Sequence, residues 1–382
     1  MSLNLIVINN METKIDITKM QAEDFKKEFK GMVLSLESVR AGGQNKKPVD
    51  ISFEELVQGK WGISLATLYE KINMNPKVDT MQNIFDMPNQ DIRWIVPEII
   101  RAAIITGMRE APFYPTLIQG DQPINGLTAI QPWVNMSDAA PAKINEAETI
   151  PLGTVSFGQK SVTLFKIGKG FKLTDEVRNY VSIDILGIYL RDFGIQLGYA
   201  LDTLALDTLL LGNKPDGSEA ADVVGVTTSN NLTYKDMLRI WIRGARIGRN
   251  FTTMISAEDI ALSLLDLDEF KKRSQGTTEA TLNLHTPVPN TADMWIHPGV
   301  PTNDIVMIDP RAALVKLTAK QLMLESERIV SNQTEAVYAT LTTGFSKIYN
   351  DSVLVLDTTK AFANYGFPEY MNKDPYMLVN LE

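Results

Sequence analysis

Cysteine is absent from this chain, which removes disulfide staples, thiol catalysis and thiolate metal sites. Histidine is nearly absent. His285 and His297 are the only two, and although they lie near Asp293 and Asp304, both sit in a proline-rich stretch where a structural or surface role is expected rather than metal ligation. No apolar run reaches the ~18 residues of a membrane span. The opening "MSLNLIVINNMETKIDITK" has neither a basic flank nor a small-residue cleavage site, so a soluble chain without membrane contact is expected. An excess of positive charge is missing too: 37 Lys and Arg against 46 Asp and Glu give a net charge of -9, which argues against a dedicated nucleic-acid binder. There is no phosphate-cradling loop and no paired-histidine zinc helix, and Gly168-Lys169-Gly170 lacks the third glycine of a dinucleotide fingerprint. Asp266 and Asp268 are too close in sequence to share a helix face, and Glu258-Asp259 reads as first-turn acid that complements a helix dipole. The expectation is a non-enzyme with no catalytic residues, cofactor or metal.

What is present is a globular composition, 44% hydrophobic and 22% charged, in a chain longer than the ~250–300 residues at which single cores stop growing; two or more lobes follow. Residues 1–110 read as a helical region, with an amphipathic helix within Lys19 to Ser38 and shorter helices near Leu65 to Ile72 and Pro97 to Met108. Residues 111–149 carry recurrent prolines and few periodic apolars, and read as an extended arm, since more than thirty residues without regular structure are unusual inside a compact domain. In 150–173, "IPLGTVSFGQKSVTLFKIGKGFKL", alternation on both sides of Gly158-Gln159-Lys160-Ser161 predicts a β-hairpin. Its Lys160, Lys166, Lys169 and Lys172, with no acid among them, suit either a solvated strand face or an acidic neighbour.

The stretch from Thr174 to Asn213 predicts one unbroken helix, with Thr174 as N-cap and Gly212 or Asn213 as C-cap. At ~100° per residue, Leu186, Leu190, Phe193, Leu197, Ala200, Leu204 and Leu211 fall in one stripe that the chain's own core can cover. Val177, Val181, Ile188, Ile195, Tyr199 and Leu206 form a second stripe. Between them runs a line of Gly187, Gly194, Gly198 and Ala205. Interior glycines each cost roughly 1 kcal/mol against alanine, so the line points to close approach by another backbone. Beyond it come helices near Tyr234 to Gly248 and from Ala257 into Phe270, a strand near Thr252 to Ile255, and mostly strands from Ile305 to Leu356. No regular βαβ rhythm emerges, and the fold class expected is α+β.

That order of elements resembles the Hong Kong 97-type major capsid protein of tailed bacteriophages. The resemblance is carried by "TVSFGQKSVTLFKIGKGFKLTDEV", similar to that family's extended hairpin leading into a spine helix, and by "ALVKLTAKQLMLESERIVSNQTEAVYATLTTGFSKIYNDSVLVLDT", similar to its long peripheral sheet. It covers about 111 to 358. It implies an extended arm over 111–149, an E-loop hairpin over 150–173, a peripheral domain made of the spine helix (174–217) and long strands (313–358), an axial domain over 218–312, and a tail over 359–382. Residues 1–110 would be an internal lining or a scaffold-like segment, retained rather than removed. The function implied is structural: hexamers and pentamers of the chain closing an icosahedral shell around double-stranded DNA that it holds only non-specifically. Portal and possible scaffold or decoration proteins would be further partners, with assembly in the host cytoplasm and residence in the virion. Lys160, Lys166, Lys169, Lys172, Val181, Ile188, Ile195 and Tyr199 would lie at intersubunit contacts. Some members crosslink a hairpin lysine to an asparagine with help from a glutamate; Lys160 matches the lysine, but the other two positions read Ala336 and Thr343, so no crosslink is expected. The rival readings are an encapsulin-like nanocompartment shell and an α+β enzyme using the His285 and His297 loop.

Overall fold

The computed structural model describes residues 27–34, 40, 52–72, 74–82, 95–134, 144, 146, 155–213, 219–267 and 293–372, with backbone only for 130–134 and 155–160. Residues 27–34 are helical. Helix α1 (Phe53–Trp61) starts at a Ser52/Glu55 capping box and stops at Gly62, whose φ of 71° favours glycine. Helix α2 (Leu65–Lys71) is capped by the Ser64 side chain. Helix α3 (Ile95–Glu110) carries Pro97 in its first turn, where the missing N–H costs nothing. Phe29 stacks on Trp61 and meets Phe53 edge-on.

Next come the short helix α4 (Tyr114–Leu117), strands β1 (Ile118–Pro123), β2 (Thr128–Val134), β3 (Val155–Thr163) and β4 (Phe165–Thr174), and helices α5 (Asp175–Tyr180) and α6 (Ile183–Leu211). Two expectations are corrected here. The hairpin does not lie within 150–173. Strand β3 runs through Gly158–Ser161 without turning and pairs antiparallel with β2, Lys160 facing Gln131; β4 instead pairs with a strand near the C-terminus. The chain changes partners at Leu164, whose N–H donates to the Leu127 carbonyl. Part of the expected arm is therefore one strand of a two-stranded ribbon, β2–β3, with its register shift falling between Gln131 and Trp133, at Pro132, which has no N–H to give a ladder.

The second correction concerns the long helix. Thr174 caps α5 as expected, but Val181 and Ser182 are extended and α6 starts afresh at Ile183. The break is held from outside. Ser182 bridges Thr80, and the orphan N–H groups of Ile183 and Asp184 donate to the carbonyls of Asp79 and Pro76, partners that a helix start needs. The 29 residues of α6 still span about 43 Å, and Gly212 ends it.

The remainder builds two sheets. After β5 (Asp222–Val226) come α7 (Tyr234–Arg246), β6 (Thr253–Ser256), α8 (Glu258–Leu265), β7 (Asp293–Ile296), β8 (Asp304–Ile308), β9 (Leu314–Ile329), β10 (Thr334–Lys347) and β11 (Val353–Ala361). A four-stranded sheet has the order β1-β9-β10-β4, and a five-stranded sheet the order β5-β11-β8-β6-β7. The grouping of 313–358 as one set of long strands is thus corrected: β11 leaves β10 at a short turn and pairs with β8 and β5. The fold is mixed α+β, as expected.

Alternation places the five-stranded sheet between two cores. Met254, Ile305, Met307, Leu354 and Leu356 face α7 and α8, packing on Met237, Trp241, Ile260 and Leu264. Ile255, Val306, Ile308, Val353 and Val355 face the other way, into a core shared with α3, α6 and the N-terminal helices. The four-stranded sheet adds Leu322, Val337, Leu341 and Leu173 to that shared core. Lys347, at the end of β10, is buried beside the end of α6, and its Nζ donates to the carbonyls of Leu209 and Glu219 at 3.3 and 3.1 Å, a cation at a helix C-terminus.

Candidate assembly surfaces

Helix α6 shows what the sequence pattern can and cannot say. Leu186, Leu190, Phe193 and Leu197 are buried as the first stripe expects, whereas Ala200 and Leu211 are exposed. In the second stripe Ile188 is 67% exposed and Tyr199 is exposed, Ile195 and Val181 are half-buried, and Leu206 is completely buried. The glycine line does receive a backbone, and it belongs to the same chain. A Cβ at Gly194 would overlap the Ile104 carbonyl, and one at Gly107 of α3 would overlap the Arg191 carbonyl. The two helices cross glycine against backbone, and a Cβ at Gly198 would strike Pro112. Gly187 has open space. Arg191 of α6 pairs with Glu110 at the end of α3.

What α6 leaves outside includes Ile185, Ile188 and Tyr189 near its start and Tyr199 and Leu211 further on, among exposed Asp184, Asp192, Gln196 and Thr203. Ile185 and Tyr189 were not singled out from the sequence. At ~100° per residue they lie within about 100° of Ile188, so their phase was readable from the sequence.

The lysines divide by strand parity. Strand β4 is an edge strand, and its odd residues Ile167, Phe171 and Leu173 face α6, with Phe171 edge-on to Phe193 at 5.1 Å between centroids. Lys169 shares that face: its Nζ donates to Gln196 and lies 5.4 Å from the Phe193 ring centroid. Lys166 and Lys172 are exposed on the opposite face, beside Gly168 and Gly170. A Cβ on either glycine would press on Thr340 or Tyr338 of β10. Across that face β9 presents exposed Glu325 and Glu327. Lysine on an edge strand discourages indiscriminate strand pairing. Lys160 lies on β3, and only its backbone is described.

Electrostatics inside the molecule serve packing. Asp202 of α6 is fully buried and accepts from the N–H groups of Tyr114 at 2.8 Å and Phe113 at 3.3 Å, tying the start of α4 to the long helix. Burial pushes its carboxyl up to about 6, partly offset by those two N–H groups. His297 is buried, accepts from the Gly299 N–H through Nδ1 at 3.0 Å, and meets Phe113 edge-on; burial lowers its pKa, Asp207 working the other way. His285 lies outside the described residues. Among the described residues no group of three or more His, Asp or Glu could hold a metal, and no helix is long and apolar enough to cross a membrane.

No protein-family model matches the chain, and neither does any curated protein sequence. Among solved structures it is similar to the capsid of a native GTA particle, at 9% identity and a TM-score of 0.49 over 67% of this chain and 91% of that one. It is also similar to a virus-like particle from Pyrococcus furiosus, at 10% identity and a TM-score of 0.42 over 68% and 98% of the two chains. A third is the holo-SrpI encapsulin complex from Synechococcus elongatus, at 12% identity and 0.44 over 72% and 92%.

Proposed function

We propose that this chain is a structural shell protein, a major capsid protein of the Hong Kong 97-type fold that associates with copies of itself as hexamers and pentamers. In this reading the shell is icosahedral, encloses the double-stranded DNA of a tailed phage, meets portal and possibly scaffold or decoration proteins, assembles in the host cytoplasm, and involves no catalysis. The observation that carries it is the β2–β3 ribbon. Two strands paired only with each other among the described residues make a unit that is marginally stable alone in water, so its outer part calls for a surface to lie on. The exposed Ile185, Ile188 and Tyr189 of α6, and the lysine-bearing edge β4, are surfaces of the kind such a ribbon needs. The four-stranded sheet and α6 then correspond to the peripheral domain, and the five-stranded sheet with α7 and α8 to the axial one.

Residues 95–110 are built into this body, because Gly107 and Gly194 interlock. That supports retention of the N-terminal helical region. Negative-stain microscopy of the purified full chain tests the proposal: closed shells are expected, and a protein that stays monomeric at high concentration would end it. Nuclease-protected DNA inside the shells would support a virion, and a co-purified enzyme the encapsulin-like compartment. Lacking cysteine, and with Ala336 and Thr343 at the positions of the crosslinking asparagine and glutamate, the chain should run as one band near 42.5 kDa after boiling in SDS.

A further inference from the structure

The outer layer of the five-stranded sheet holds two helices whose solvent faces are opposites. On α7, Lys235, Arg239 and Ile242 follow one another at helical spacing, and Ile242 is 70% exposed. The sole acid of α7, Asp236, is turned inward and used within its own chain. Burial pushes its carboxyl up, but the hydroxyls and N–H groups of Thr227 and Thr233 more than offset this and hold it below the usual carboxylate range. On α8, Glu258, Asp259 and Leu262 share the solvent side, Leu262 is 72% exposed, and no Lys or Arg occurs in the helix. Each helix thus shows a strongly exposed aliphatic side chain flanked by charge of a single sign, with Leu265 exposed as well at the end of α8, and the signs differ.

We infer that α7 of one copy of this chain docks on α8 of the next, Ile242 against Leu262, with Lys235 and Arg239 opposite Glu258 and Asp259. The occupant is a second copy because the chain itself carries the complementary face. Pairing α7 with α7 would set cations against cations, and pairing α8 with α8 would set acids against acids. A contact between two different faces is heterologous, and repetition carries it around an axis into a ring when the rotation closes. The charged groups are partly preset. The Arg239 guanidinium lies 4.4 Å from the Phe362 ring centroid and is 3.4 Å from Asp236 Oδ1, and Asp259 Oδ2 accepts from the Asn303 N–H at 3.0 Å. Side chains already held in place lose less freedom on binding.

The inference rests on the shell reading above, and the test separates the two. Full-length Ile242→Asp and Leu262→Asp are compared with the unaltered chain by sedimentation velocity and microscopy, folding being checked by circular dichroism. Each single variant should stay folded and need roughly tenfold more protein to form rings, as loss of an interface anchor commonly does. An equimolar mixture should form dimers and no rings, because one intact α7–α8 contact survives per pair. Should either variant fail to fold, the surface changes Lys235→Glu and Glu258→Lys replace it: each alone should impair assembly, and the two in one chain should restore it. Both variants assembling at the unaltered threshold, a mixture without dimers, or no restoration by the charge swap would overturn the pairing. If the unaltered chain assembles in those cases, only the pairing falls; if the unaltered chain never associates, the shell reading falls and takes this with it.

Discussion

The two sheets are built from strands of different length, 6 to 16 residues in the four-stranded sheet and 4 to 9 in the five-stranded one, and are put to different use. The five-stranded sheet is covered on both faces, by α7 and α8 on one side and by the shared core on the other, so Val306, Met307, Leu354 and Val355 form runs with no polar interruption. The four-stranded sheet is covered on the α6 side, while along β4 its other face shows Lys166, Lys172, Glu325 and Glu327. A sheet wrapped on two sides is a stability element; one left open on a side is available for contact, and its edge must be guarded. Substitutions should therefore damage folding in the first and association in the second.

The largest expected effect tests what both sheets lean on. Gly194→Val or Gly107→Val puts atoms into a neighbouring carbonyl and should cost more than about 3 kcal/mol or prevent folding, whereas Gly187→Ala, in open space, should be neutral or stabilising by up to about 1 kcal/mol. Thermal melts of the three variants make the check, and equal melting of Gly194→Val and Gly187→Ala would break the interlock argument. Next, Leu354→Ala in the doubly covered sheet should cost about 2–5 kcal/mol in denaturant titration. Lys347→Met, which leaves the Leu209 and Glu219 carbonyls without their buried donor, should cost about 2–4 kcal/mol. By contrast Lys172→Ala on the open face should change stability by less than about 0.5 kcal/mol; a larger change would mean that the open sheet is not a contact surface.

Stability should also depend on pH. The folded Asp202 carboxyl, raised to about 6 by burial from 3.8, holds its proton where the unfolded one has lost it. Between those two values the folded state binds more protons, so stability falls as pH rises through that window and then levels off. Asp202→Asn should flatten that part of the melting-temperature profile, and an unchanged slope would place the titration elsewhere; Asp304, likewise raised to about 6 chiefly by burial and then by Asp357, is the residue to change next.

How much of this was legible in the sequence depends on how local each cause is. The Thr174 cap, the Gly212 stop and the Leu186–Leu197 stripe follow from residues a turn or two apart, and all were readable. The glycine line announced a close backbone, but that the visitor is α3 depends on Gly107, some ninety residues away, and nothing near Gly194 names it. The break at Val181–Ser182 is invisible for the same reason: the carbonyls that pay for it belong to Pro76 and Asp79. The ribbon was misplaced because alternation marks a strand and leaves its partner open, so Val155–Thr163 fits a turn back onto β4 as well as a ladder with β2. For the candidate contacts, the sequence reading grouped Lys166, Lys169 and Lys172 together; parity along β4 sets Lys169 apart, and which side faces α6 is decided only by Phe171 meeting Phe193.

The two extended residues before α6 also have a mechanical meaning. Helix α5 hangs from the four-stranded sheet, through Arg328 to Asp175 at 3.5 Å and Arg178 to Glu335 at 3.9 Å, while α6 is keyed to α3. One continuous rod would transmit every torque applied at the sheet's tip along its whole length. Here the load passes at Val181 and Ser182 to the Pro76–Thr80 segment that holds the break, so that the glycine crossing of α6 on α3 keeps its registry.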